Sequence, residues 1–130
     1  MTCEVIKEIK GVYTNYSIKK NGNLIGDAQR GLNNKFFTIF HIKIHDDNNR
    51  YQGAGSFLLK YIEQDAINEG FKFVIGEWVD ENPHSYEKIK KFVIKNGYRE
   101  MTESDYKKYN FPRIDYRINV IKDFCLRNEG

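Results

Sequence analysis

The stretch Arg50-Tyr51-Gln52-Gly53-Ala54-Gly55-Ser56 has the residue types that hold a phosphate. Glycines let the backbone close on an anion, and an arginine supplies charge. The amphipathic run that follows, from Phe57 to a stop at Gly70, would add the unpaired N–H groups and partial positive charge of a helix start. A second group of residues has the chemistry to move a proton or wall a cleft: Glu77, Trp78, Tyr86 and the histidines His41 and His84. Metal chemistry has no such signature, since Cys3 and Cys125 sit at opposite ends of the chain and the three histidines fall in different segments. The glycine spacing is neither the dinucleotide fingerprint, which needs a third glycine, nor a Walker loop, which needs Gly-Lys-Ser/Thr.

The elements that must position these residues read clearly. Residues 3 to 9 read as a first strand, broken by Gly11, and Val12 to Lys19 as a second. Asn21-Gly22 is a hairpin signal, so Leu24 to Gly31 returns as the partner. Asn33-Asn34 turns the chain into Phe36–Ile44, a β-branched and aromatic run. Those strands make an antiparallel meander ahead of the glycine loop. The helix behind the loop puts Leu58, Leu59, Ile62 and Ala66 on one stripe. Phe71 to Val79 is a further strand, and a strand–helix–strand unit of this length implies a right-handed crossover and local parallel pairing.

Asn82-Pro83 then supplies an N-cap and a first helical position, and Asn96-Gly97 ends that second helix. Its apolar face is Tyr86, Ile89, Phe92 and Val93, with Lys88, Lys90 and Lys91 toward water. Tyr98–Met101 reads as a short strand, 102–109 as a helical turn or loop, and Ile114–Ile121 as a last strand. The expected fold class is α/β (α+β): a mixed, mostly antiparallel central sheet, two main helices and one domain over residues 1–130.

The composition fits this and excludes some functions. With 130 residues, 40% hydrophobic and 30% charged, the chain holds a real core without staples. A net charge of +3, with basic residues interleaved among Asp and Glu, argues against a nucleic-acid binder. No apolar run is long enough to span a membrane and no signal segment follows Met1, so a cytoplasmic location with reduced thiols is expected.

The Arg50-Tyr51-Gln52-Gly53-Ala54-Gly55 run resembles the Arg/Gln-x-x-Gly-x-Gly/Ala signature of the GNAT superfamily of acetyl-CoA-dependent N-acetyltransferases. Lys91-Phe92-Val93-Ile94-Lys95-Asn96-Gly97-Tyr98 is similar to the end of that family's later helix. The resemblance covers roughly residues 12 to 101. It implies a pyrophosphate of coenzyme A held by Arg50 and by the backbone of Tyr51, Gln52, Gly53, Ala54, Gly55 and Ser56. It also implies a pantetheine arm paired with the backbone near Ile44, where that strand splays from the one starting at Phe71, and a thioester end lined by Asn82. The activity implied is transfer of acetyl to a primary amine, a protein lysine or a small amine, by direct attack in a ternary complex without metal.

Three departures from the family pattern shape the expectation. The helices that normally follow the first strand and wall the acceptor site are replaced by a few residues between Ile9 and Val12. The acceptor site should therefore be open, or completed by a partner or a second copy of the chain as a homodimer; openness favours a protein lysine. Val93 stands where many members carry a tyrosine acid for the leaving thiolate, and Tyr86 on the same face is either the substitute or a core tyrosine with its hydroxyl at the rim. The loop between Ile44 and Arg50 is one residue longer than the family's usual loop and lacks its common proline, and the position of a catalytic Glu in histone-type members falls near Thr38, which is no base. An ammonium acceptor must still lose a proton: Glu77 is the first candidate base and His41 the second, and a water chain to backbone carbonyls is an equally good account. Trp78 could wall the acceptor cleft, although core packing is its ordinary role. The rival reading is a GNAT-fold module that binds coenzyme A or a protein partner without turnover.

Overall fold

A computed structural model describes residues 3–31, 35–45, 53–79, 83–114 and 117–124, with backbone alone for Val79 and residues 83–86. The chain runs β1 (Cys3–Lys10), β2 (Tyr13–Lys20), β3 (Asn23–Gly31), β4 (Thr38–Ile44), α1 (Ala54–Asn68) and β5 (Phe73–Val79). It continues with α2 (Pro83–Lys95), β6 (Arg99–Glu100), α3 (Glu103–Tyr109) and β7 (Arg117–Asp123). The strands form one sheet in the order β1-β2-β3-β4-β5-β7-β6. Every neighbouring pair is antiparallel except β4 and β5.

The turns explain this order. Asn21 and Gly22 both have positive φ, 52° and 84°, the two-residue turn whose twist matches a hairpin. Helices α1 and α2 end alike: Gly70 N–H bonds Ile67 O and Phe71 N–H bonds Ala66 O, while Gly97 and Tyr98 repeat the pattern on Ile94 and Val93. That cap uses up Phe71, so β5 begins at Phe73 and not at Phe71. The described part of β7 starts at Arg117, whose N–H bonds Ile114 O; residues 115 and 116 of the strand expected from Ile114 lie outside the described residues.

Alternation sorts the side chains to two faces. Tyr16, Ile18, Ala28, Phe37, Ile39 and Val74 are buried beneath α1, whose Leu58, Ile62 and Ala66 form the stripe read from the sequence. Burying each such Leu or Ile contributes about 1.5–3 kcal/mol. On the other face Phe36, Ile75, Met101, Phe111 and Ile121 make a second, smaller core beneath α3. Of the two readings for 102–109, a helical turn or a loop, the helical one holds as α3, because Thr102 and Asp105 form a reciprocal capping box at its start.

Candidate active site

Strands β4 and β5 touch only at Thr38–Ile75 and Ile39–Gly76, beside a further bond from Ile75 N–H to Phe37 O. Beyond those pairs the two strands diverge, leaving β4 from Phe40 to Ile44 and β5 from Glu77 to Val79 unpaired with each other. The splay expected at Ile44 is therefore present. Part of its cause is an extra residue: Gln29 pairs with His41 and Arg30 with Ile39, so Phe40 is a bulge that bends β4.

On the α1–α2 face the splay opens into a groove of about 140 Å³ lined by Ile42, Ile44, Gly55, Lys88, Ile89 and Phe92. Its floor is the start of α1. Gly53 caps that helix at φ 85°, no side chain caps it, and its first turn holds no acidic residue. The first helical bond is Phe57 N–H to Gly53 O, so the N–H groups of Ala54, Gly55 and Ser56 have no intrahelical partner. An anion suits that end on charge and geometry alike. Gly55 also keeps the groove open, since a methyl there would stand 3.0 Å from Phe92 Cε1.

On the opposite face lies a cleft of about 350 Å³. Thr38 and Phe40 wall it from β4, and Phe36, Phe111 and Ile114 close the sides. Val12, at the β1–β2 turn, rims its mouth. Glu77 and Arg117 carry the only charges lining it among the described residues, and they form an ion pair. Behind them Tyr106 Oη donates to Asn119 Oδ1 at 3.0 Å, and Asn119 Nδ2 donates weakly to Glu77 Oε2 at 3.4 Å.

The expected site residues divide accordingly. Ile44, Gly53, Ala54, Gly55 and Ser56 come together at the groove and helix start. Arg50, Tyr51, Gln52 and Asn82 lie outside the described residues, and Tyr86 is placed in α2 by its backbone alone. Glu77 does reach the cleft, but held by Arg117. His41 lies along β4 on the meander, its Nε2 2.8 Å from Asp27 Oδ1, and lines neither opening. Trp78 packs on the α1–α2 face against the core and does not line the cleft. Val93, 2% exposed, is core.

Arg117 was not foreseen, although the alternation of the last strand places it with Asn119 on one face. Lys88, expected to face water, borders the groove. No group of His, Cys, Asp or Glu among the described residues is arranged to hold a metal, and no described helix is long and apolar enough to cross a membrane.

No protein-family model and no curated protein matches the chain. Solved structures do. A GNAT-family acetyltransferase from Staphylococcus aureus Mu50 is 17% identical at a TM-score of 0.64, over 86% of this chain and 68% of that one. A GNAT-family acetyltransferase from Elizabethkingia anophelis with acetyl-CoA bound is 15% identical at 0.63, over 93% of this chain and 97% of that one. The PaiA N-acetyltransferase of Thermoplasma acidophilum, in complex with coenzyme A, is 13% identical at 0.63, over 85% of this chain but 60% of its own length. The splayed sheet, the glycine-led helix and these likenesses together establish that the chain has the GNAT acyl-CoA N-acyltransferase fold.

Proposed function

We propose that the chain is an acetyl-CoA-dependent N-acetyltransferase that moves acetyl to a primary amine by direct attack. The observation that carries this is the pair of openings on opposite faces of one splayed joint. A donor held along β4 and an acceptor approaching past Thr38 and Phe40 would meet where β4 and β5 part. Two of the structural neighbours were solved with coenzyme A or acetyl-CoA, and this reading carries that ligand to the groove beside Ile44.

The parts then have defined work. The free N–H groups of Ala54, Gly55 and Ser56 receive the pyrophosphate. The unpaired edge of β4 offers backbone donors and acceptors to the amides of the pantetheine arm. Apolar contacts from Ile42, Ile44, Ile89 and Phe92 exclude water around that arm. In the cleft, the acceptor ammonium gives a proton to Glu77 and the freed amine attacks the thioester carbonyl carbon. The C–S bond breaks, the thiolate leaves and takes up a proton, and the amide nitrogen loses its second proton to water. The acceptor enters on the side where the β1–β2 hairpin stands in place of covering helices, open to a protein lysine as well as a small amine.

One observation favours a rival reading. Glu77 is tied to Arg117, and Val93 cannot act as the acid. That combination also suits a coenzyme A binder without turnover. A thiol-release assay with acetyl-CoA and a panel of amines and proteins decides. Release that depends on acceptor is expected; tight acetyl-CoA binding with no transfer to any acceptor would establish the rival.

A further inference from the structure

We propose that the Glu77–Arg117 pair selects an acceptor carrying a carboxylate next to its amine, namely a free amino acid with an apolar side chain. This rests on the transferase reading and narrows it. The cleft walls are apolar or neutral, from Val12, Phe36, Thr38, Phe40, Phe111 and Ile114. Among the described residues its two lining charges are opposite and paired with each other, Glu77 deeper at 13% side-chain exposure and Arg117 nearer the mouth at 33%. A neutralised pair has little pull on an amine with a single positive charge. A zwitterion fits it head to tail, carboxylate on guanidinium and ammonium on Glu77.

The spacing agrees. The ammonium nitrogen and nearer carboxylate oxygen of an amino acid stand about 2.8 Å apart, the general separation across a charge-assisted ion pair. A guanidinium has five donors, enough for a second carboxylate. Behind Glu77, Asn119, itself held by Tyr106, offers Nδ2 at 3.4 Å to Oε2, a donor that stays with the carboxylate when Arg117 turns toward the ligand. The incoming carboxylate thus draws Arg117 away and exposes Glu77 Oε1 to the ammonium. Recognition and proton removal become one event, and an acceptor lacking the carboxylate leaves the base engaged. Phe36, Phe40 and Phe111 receive the apolar side chain, and about 350 Å³ suits a molecule of amino-acid size.

The test measures thiol release by the full chain with acetyl-CoA and matched acceptors: leucine, methionine and phenylalanine, their amides, and a lysine peptide blocked at both ends. The acids should exceed their amides at least about tenfold in kcat/KM, with kcat contributing. In Arg117→Gln the ratio should fall to within about twofold, and Arg117→Lys should retain part of it. Thermal stabilisation by acetyl-CoA, read on every variant, reports folding and an intact donor groove. Should Arg117→Gln not fold, Arg117→Lys carries the test, and its ratio must fall at least about threefold below that of the unmodified chain. Amides or the lysine peptide matching the acids in the unmodified chain would overturn the proposal, as would an undiminished ratio in Arg117→Gln. Acetyl-CoA binding with no release from any acceptor would overturn the transferase reading itself.

Discussion

At the scale of single residues, the position that departs most from the family pattern is Val93. Its side chain is 2% exposed in the core that joins α1, α2 and the sheet. A tyrosine there would have to bury a ring and hydroxyl in filled space, and overpacking of that kind costs about 1–3 kcal/mol. Val93→Tyr should therefore lower the midpoint of urea unfolding and give no gain in thiol release. A rise in kcat at unchanged stability would mean that the helix end has room for an acid and that Val93 is a lost catalytic position. Glu77 teaches a related lesson. Its type and strand were legible in the sequence, but its ion pair was not, because Arg117 lies 40 positions away on another strand.

At the scale of elements, the meander, α1 and α2 were legible for physical reasons that survive folding. Period-two alternation, the Asn21-Gly22 turn and the paired helix stops at Gly70 and Gly97 act locally, so sequence neighbours suffice to read them. Helix α3 could not be told from a loop because seven residues carry too little periodicity. Its signal was the Thr102-x-x-Asp105 spacing, in which Asp105 accepts from Thr102 N–H at 2.8 Å and Thr102 Oγ1 accepts from Asp105 N–H at 3.2 Å. Arg99 also hydrogen-bonds Asp105. That bond first, then those from Thr102, hold its carboxyl well below the usual carboxylate range against the upward push of burial. A carboxyl depressed in the folded state stabilises the fold fully above its unfolded value of about 3.9. The contribution is lost as pH falls below that value toward the folded one. Asp105→Asn should therefore cost about 1–2 kcal/mol near neutral pH, and the gap from the unmodified chain should begin to narrow below about pH 4 and still be narrowing at about pH 2. Urea midpoints measured on both proteins across that range check it; a gap independent of pH would remove the ionised cap from the account.

At the scale of the whole molecule, a sheet that splays between β4 and β5 is held at its middle by few strand bonds, so something else must join the halves. The carboxylates of α1 do this. Asp65 takes Lys7 at 2.8 Å and the Tyr16 hydroxyl at 2.6 Å, and Glu69 takes Arg30, all on the meander side. Glu63, 6% exposed, reaches the other half, accepting from Lys122 Nζ at 2.9 Å and from the Tyr98 hydroxyl at 2.8 Å. Burial, and then the Glu63 carboxylate, push the Tyr98 hydroxyl well above its usual value, so it stays a donor. Lys122 also donates to Asn96 O, the end of α2, at 2.9 Å. One ammonium thus ties β7 to both main helices. Lys122→Met would leave the Glu63 charge buried with Tyr98 alone, a change that costs about 3–5 kcal/mol for a buried pair. Replacing both partners, as in Glu63→Met/Lys122→Met, removes the uncompensated charge and should recover most of that loss. Because α1 spans both halves, the loss should be global: a lower urea midpoint at unchanged slope, seen equally by far-ultraviolet circular dichroism and by Trp78 fluorescence. Two separate transitions in Lys122→Met would instead show that the meander and the β5–β7–β6 half fold as independent units, with the strand joint at Thr38 and Ile39 too weak to couple them once Glu63 lets go.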